Sequence, residues 1–259
     1  MRKHPAPLVT LEMFRSSDFT GANLLTLLLY AALGGSLYFF PLNLIQVQGY
    51  SALEAGASLL PFILTMFVLS RLTGGLADRY GAKKPLVVSP AIAAAGFVLF
   101  ALPATGGSYW TTFFPAAMVL GLGMAISVAP LTTTVMNALE GALAGAASGV
   151  NNAVSRIAAL LAIAAFGIVM SVAFKAALAT ELHKAKLSPD LQHKVLAQQD
   201  KLAAIALPAA ASTAEKAAAS QAVAASFVHG FRWVALWSAA LALTSSFVAW
   251  RMIGNSRAS

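Results

Sequence analysis

Arg156 is the side chain that chemistry singles out first, because a guanidinium sits there inside an otherwise apolar run, residues 145–174. Ser148, Asn152, Ser155 and Arg156 recur at spacings of three, four and eight, which a helix gathers towards one side. A charge in hydrocarbon is costly, so Arg156 must meet a partner, water or a headgroup. Two readings follow. Arg156 snorkels to the nearby interface or holds a structural pair, or it lines a polar path for a transported molecule together with Asn152.

Two other apolar runs carry polar groups at helical spacing. Asn23, Tyr30, Gly34 and Tyr38 share a face of the run 21–46, either as contacts for a passing substrate or as interhelical packing. The run 111–136 holds Gly121, Gly123, Ser127 and Pro130 before Thr132, Thr133 and Thr134. Small residues and a proline there allow a bend or a close crossing. Met118 and Met124 supply either an adaptable apolar surface or plain core filling.

Other chemistry is missing from the pattern. His4, His183, His193 and His229 are scattered without metal-ligand spacing, and there is no cysteine. No phosphate-binding loop or catalytic triad is visible, so the reading is a non-enzyme with no metal and no cofactor. Glu54, Asp78 and Glu140 all fall at the ends of apolar runs. Coupling to protons needs a group that changes charge inside the membrane, and this chain places no acid deep in a run.

The elements that must position these groups are membrane helices. Of 259 residues, 59% are hydrophobic and 10% charged, against roughly a quarter charged in soluble domains. Six runs, 21–46, 56–77, 85–103, 111–136, 145–174 and 227–250, each reach the ~20 residues that span a bilayer. The expected fold is an all-α membrane bundle of six transmembrane helices. Its partners would be the lipid bilayer and a small molecule. The net charge of +8 is spread over run ends and one long loop without aromatic interleaving, which argues for headgroups and against nucleic acid.

Basic residues in the short connections set the orientation. Arg2, Lys3 and Arg15, then Arg79, Lys83 and Lys84, then Arg251 and Arg257 mark one side, while 47–55 and 104–110 contain no lysine or arginine. Both termini are therefore expected in the cytoplasm of a multi-pass cell-membrane protein. Six lysines in 175–226 run against this rule. The expected organisation is an interfacial linker over 1–20, helices within 21–174, an extracytoplasmic loop over 175–226 made of short surface helices or coil, a last helix over 227–250, and a tail over 251–259.

The most specific pattern joins the second and third runs: Gly74-Gly75-Leu76-Ala77-Asp78-Arg79-Tyr80-Gly81-Ala82-Lys83-Lys84-Pro85-Leu86. Its glycines permit close approach and a tight reversal. Asp78 can accept backbone N–H groups at a helix start or pair with an arginine, and Arg79 and Lys83 hold the loop at its side of the membrane. A plain positively charged turn is the bland alternative. The pattern resembles the loop signature of the major facilitator superfamily, with Gly74, Leu76, Ala77, Asp78, Arg79, Gly81, Lys83 and Leu86 in register and Ala82 departing where a basic residue is usual. Pro7 to Arg15 and Ala146 to Asn152 are similar to the fourteen-helix drug:proton antiporter branch.

The resemblance implies one half of a transporter fold, the C-terminal six-helix bundle, built as two inverted three-helix repeats. It implies that the first and fourth helices line a cavity, that Gly74, Asp78, Arg79, Gly81 and Lys83 form a conformational latch, and that a missing N-terminal half carries the proton-coupling acid. The substrate pathway candidates are then Asn23, Tyr30, Tyr38, Ser127, Asn152 and Arg156. The expected function is efflux of small hydrophobic or cationic compounds by proton antiport. A membrane scaffold that keeps the fold without a transport cycle is the alternative.

Overall fold

The computed structural model describes residues 11–73, 75, 79–139 and 141–254. Among them are eight α-helices: α1 (Ser17–Gln46), α2 (Ala52–Ala57), α3 (Leu60–Thr73), α4 (Lys83–Ala101), α5 (Tyr109–Asn137), α6 (Ala144–Lys184), α7 (Pro189–Leu196) and α8 (Thr213–Met252). There is no strand among the described residues, and six helical stretches, with α2 and α3 counted as one, are long and apolar enough to cross a membrane. The chain is an all-α, multi-pass membrane bundle, as its composition required.

Local signals set several helix ends. Ser16 caps α1 through the Phe19 amide, and Ser212 and Glu215 form a reciprocal capping box at the start of α8. Pro41, Pro90, Pro115 and Pro130 all lie inside helices, which a membrane bundle tolerates because neighbouring groups satisfy the freed carbonyls. Gly81 has φ +76° between the loop motif and α4. That left-handed backbone is cheap only for glycine, so the reversal read from the sequence has its conformational cause there.

The packing follows a pseudo-twofold pattern. α1 packs on α6 and α8, while α5 packs on α3 and α4, and α4 and α8 pack on each other. Exchanging α1, α3 and α4 with α5, α6 and α8 maps these contacts onto themselves, as two inverted three-helix repeats would. One contact breaks the pattern. α6 also packs extensively on α8, whereas α3 has no comparable grip on α4 among the described residues.

One end of the bundle, the base, joins the two ends of the described chain. The Ser17 hydroxyl donates to the Met252 carbonyl at 2.9 Å, and the Gly254 amide donates to Asp18 at 2.6 Å. The opposite end, the crown, contains much of the stretch read as a loop. Residues 175–184 continue α6 and 213–226 begin α8; between them lie α7 and a 3-10 turn over Gln199–Ala204. Leu178, Leu182, Leu187, Leu191, Val195 and Val223 give the crown a buried apolar interior. Lys175–Asp200, Lys184–Glu181 and Lys194–Asp190 ion pairs lie on its surface.

α6 and α8, of 41 and 40 residues, are each about 60 Å long, twice the ~30 Å core of a bilayer, so part of each must extend past it.

Candidate functional site

The seam between α1 and α6 is closed by small residues and by a polar knot. A Cβ on Gly34 would lie 2.6 Å from the Ala159 Cβ, and one on Gly35 would lie 2.1 Å from the Phe166 ring. Glycine therefore lets α6 settle against α1. Nearer the base, the Asn151 side-chain amide donates to Asn23 Oδ1 at 3.2 Å and to Thr26 Oγ1 at 2.7 Å. Asn23 in turn donates to the Phe19 carbonyl at 2.8 Å, and Thr26 to the Ala22 carbonyl at 2.9 Å. Three uncharged side chains thus satisfy one another without an ion.

This geometry divides the pathway candidates. Asn23 is 5% exposed and belongs to the α1–α6 knot, whereas Tyr30 is half-buried and Tyr38 is 50% exposed farther along α1. Ser127 is buried on α5, and its hydroxyl has no hydrogen-bond partner among the described residues. One turn earlier, Gly123 lies tight against Ala93 and Ser89 of α4. Asn152 and Arg156 are exposed along α6 in line with Ile157, Leu160, Leu161 and Ile168. Asn23 and Asn152 are thus near in their helices' order but on different surfaces.

In the loop motif, Arg79 is exposed and its guanidinium lies over the adjacent Tyr80 ring, 5.4 Å from the centroid. Lys83 starts α4 and is half-buried. Gly74 and Asp78 lie outside the described residues, and so does the contact expected of Asp78. Of the other acids at run ends, Glu54 belongs to the capping box of α2, and Glu140 lies outside the described residues.

Three functional-looking residues escaped the sequence reading. Asn151 sits beside the pathway candidate Asn152 in the stretch 146–152, but a one-residue step on a helix turns the side chain by about 100°. Arg71 is exposed near the last turn of α3. Arg232 of α8 places Nη2 within 3.5 Å of the Leu102 carbonyl and 3.4 Å from the Pro103 carbonyl, just past α4. A cation there complements the negative end of the α4 dipole. Gln48 grips the same connection, donating to the Ala104 carbonyl at 3.0 Å and accepting from the Gly106 amide at 2.8 Å. The link between the two repeats is therefore held from both sides.

A bundle with this inverted packing pattern and polar groups on its membrane helices has the form of a membrane transport domain. Residues 1–163 match the family model described as Major Facilitator Superfamily, and the chain belongs to that family. It is 34% identical over 165 residues to a lincomycin resistance protein of Streptomyces lincolnensis, covering 64% of this chain and 34% of that protein. It is 28% identical over 246 residues to a tetracenomycin C resistance and export protein of Streptomyces glaucescens, covering 94% and 45%. The multidrug resistance protein Stp of Mycobacterium tuberculosis is 28% identical over 202 residues, covering 76% and 36%. The chain thus spans between about a third and just under half the length of these curated relatives.

Proposed function

We propose that this chain is one rocking bundle of a secondary transporter that exports small hydrophobic or cationic compounds by proton antiport once joined to a second bundle. The observation that carries the reading is the uneven burial of the six spans. The apolar windows of the second span, α2–α3, and of α6 are 22% and 28% buried, against 39–56% for the other four. These two helices occupy equivalent places in the inverted repeats. Their open faces supply a surface for a second bundle, and Arg156 and Asn152 on α6 face outward where a path between bundles would run.

In this reading the base is cytoplasmic and the crown lies outside. The second bundle supplies the acid that loads and releases the proton, because the described spans place Asp18 and Glu54 at helix starts. The names of the relatives support a drug-like cargo. The motif at 74–83 acts as the latch between inward- and outward-facing states.

The test is reconstitution into proteoliposomes of this chain alone and joined to an N-terminal six-helix bundle, with ethidium as the reporter. Efflux that appears only in the joined form and only with an imposed pH gradient is the expected result. Gradient-independent behaviour of both forms would leave the scaffold alternative standing. Arg156→Ala in the joined form should cut efflux while leaving membrane insertion unchanged, and normal efflux would remove Arg156 from the pathway.

A further inference from the structure

Along the seam between α3 and α5 runs an open groove of about 430 Å³, bounded by Leu64, Thr65, Val68, Trp110, Phe114 and Met118. That volume lies within the ~300–1,000 Å³ of pockets that take drug-sized ligands. Its shape has a sequence cause. Gly121 lets α3 come close, since a Cβ there would lie 2.9 Å from the Phe62 carbonyl oxygen and from the Thr65 Cβ. Towards the crown the helices leave room, and Trp110 and Phe114 stand with ring centroids 5.2 Å apart. From Trp110 to Met118 the groove runs about 12 Å down α5.

We propose that this groove binds a flat, uncharged aromatic molecule bearing a hydrogen-bond acceptor, taken from the crown-side half of the bilayer. The occupant follows from the lining. No charged side chain borders the groove, so a cation seated there would give up hydration for no more than an aromatic face. A neutral ring system loses little and meets the aromatic pair and Val68. The polar contact is Thr65, 8% exposed, whose hydroxyl donates at 3.0 Å to the Met118 sulfur. A thioether is a weak acceptor on a flexible side chain, so a ligand carbonyl can take that hydrogen bond in its place.

This deepens the efflux reading by naming the uncharged part of its cargo, and it rests on that reading for its consequence while the binding itself can be measured without transport. The 259-residue chain is placed in lipid nanodiscs with Trp233, Trp237 and Trp250 changed to Phe, so that Trp110 alone fluoresces. Anthraquinone is the probe, with anthracene as a flat molecule of the same ring count that lacks the carbonyls. Anthraquinone should quench Trp110 saturably, and Val68→Phe should weaken that binding at least about tenfold by filling the groove. Thr65→Val should weaken anthraquinone about fivefold, the worth of one hydrogen bond, and leave anthracene unchanged. The anthracene arm and an unchanged helical circular dichroism spectrum separate lost contact from lost folding.

Linear, unsaturable quenching would overturn the site, as would an undiminished response in Val68→Phe or an equal loss of both probes in Thr65→Val. Quenching by phospholipid with brominated acyl chains that anthraquinone does not relieve would also overturn it, because a lipid chain would then be the occupant. Saturable binding without gradient-driven export by the joined transporter would sink the efflux reading and leave the site. Export without saturable binding would do the reverse.

Discussion

The α1–α6 and α5–α3 seams occupy equivalent places in the two repeats and are closed in different ways. In the first, Gly34 and Gly35 bring α6 against α1, Asn151 ties it to Asn23 and Thr26, and α8 braces its other side. In the second, Gly121 brings α3 against α5, the polar contacts across it are single hydroxyls, Thr65 on the Met118 thioether and Thr73 on the Ala125 carbonyl at 2.8 Å, and α4 offers no comparable brace among the described residues. Symmetry of backbone topology has not imposed symmetry of side-chain chemistry. The braced seam is suited to holding shape and the loose one to accommodating a guest.

The strongest way to break this contrast is to wedge the tight seam. Gly35→Val should destabilise the protein by about 1–3 kcal/mol, because its Cβ would fall inside the Phe166 ring contact and overpacking of this kind is hard to relieve. Gly167→Val on α6 is the control, since a Cβ there meets nothing within 4 Å. Thermal unfolding in one detergent reads both. Equal melting points for the two variants would mean that the seam yields and is not the rigid partner of the pair.

A smaller effect is expected from cutting the knot. Asn151→Leu removes both bonds across the seam and leaves Asn23 Oδ1 without its donor, at a cost of about 1 kcal/mol. A double-mutant cycle with Thr26→Val should give a coupling near ~0.6 kcal/mol, with about 1.7 as the upper end found for hydrogen bonds between membrane helices. By contrast, Thr65→Val in the loose seam should change stability by less than about 0.5 kcal/mol, since its partner there is the weakly accepting Met118 sulfur. A coupling of zero in the first seam, or a loss in the second as large as Asn151→Leu, would erase the distinction.

How much of this was readable in the sequence depended on the range of the signal. Apolar run length gave the six spans, and Gly81 announced the reversal before α4 because both are local properties. The inward or outward direction of a single side chain was not legible on helices that are apolar all round: Asn151 and Asn152 look alike in the sequence, and only the neighbour across the seam separates them. The crown shows a signal that was overlooked. Phe166, Met170, Phe174, Leu178 and Leu182 are all buried and recur every four residues, so the periodicity runs through residue 174, where the continuous apolar run ends. Arg232 escaped for a different reason, since its partners are backbone carbonyls at 102 and 103 that no sequence pattern marks.

The crown extends the comparison to acid sensitivity, where the smallest effect is expected. Glu215 has its pKa held below the ordinary 4.5 by the Ser212 hydroxyl, then by the Ser212 amide, then by the Ser188 hydroxyl. The Ser212 amide and hydroxyl, just before α8, donate to the Glu215 carboxylate at 3.1 and 2.9 Å, so the ionised group holds the start of that helix. A carboxyl group with a depressed folded-state pKa contributes its stability above the unfolded value and loses it as pH falls through the folded value. The crown should therefore loosen only below pH 4.5, and Glu215→Gln should remove most of that pH dependence while leaving the α1–α6 seam untouched. Hydrogen exchange at 213–220 and at 23–27, followed from pH 6 to about pH 3.5 after correction for the intrinsic rate, reads the two regions separately. Faster exchange in both together would show that the crown and the tight seam open as one unit, while a response confined to 213–220 would make the crown an independently yielding extension of α6 and α8.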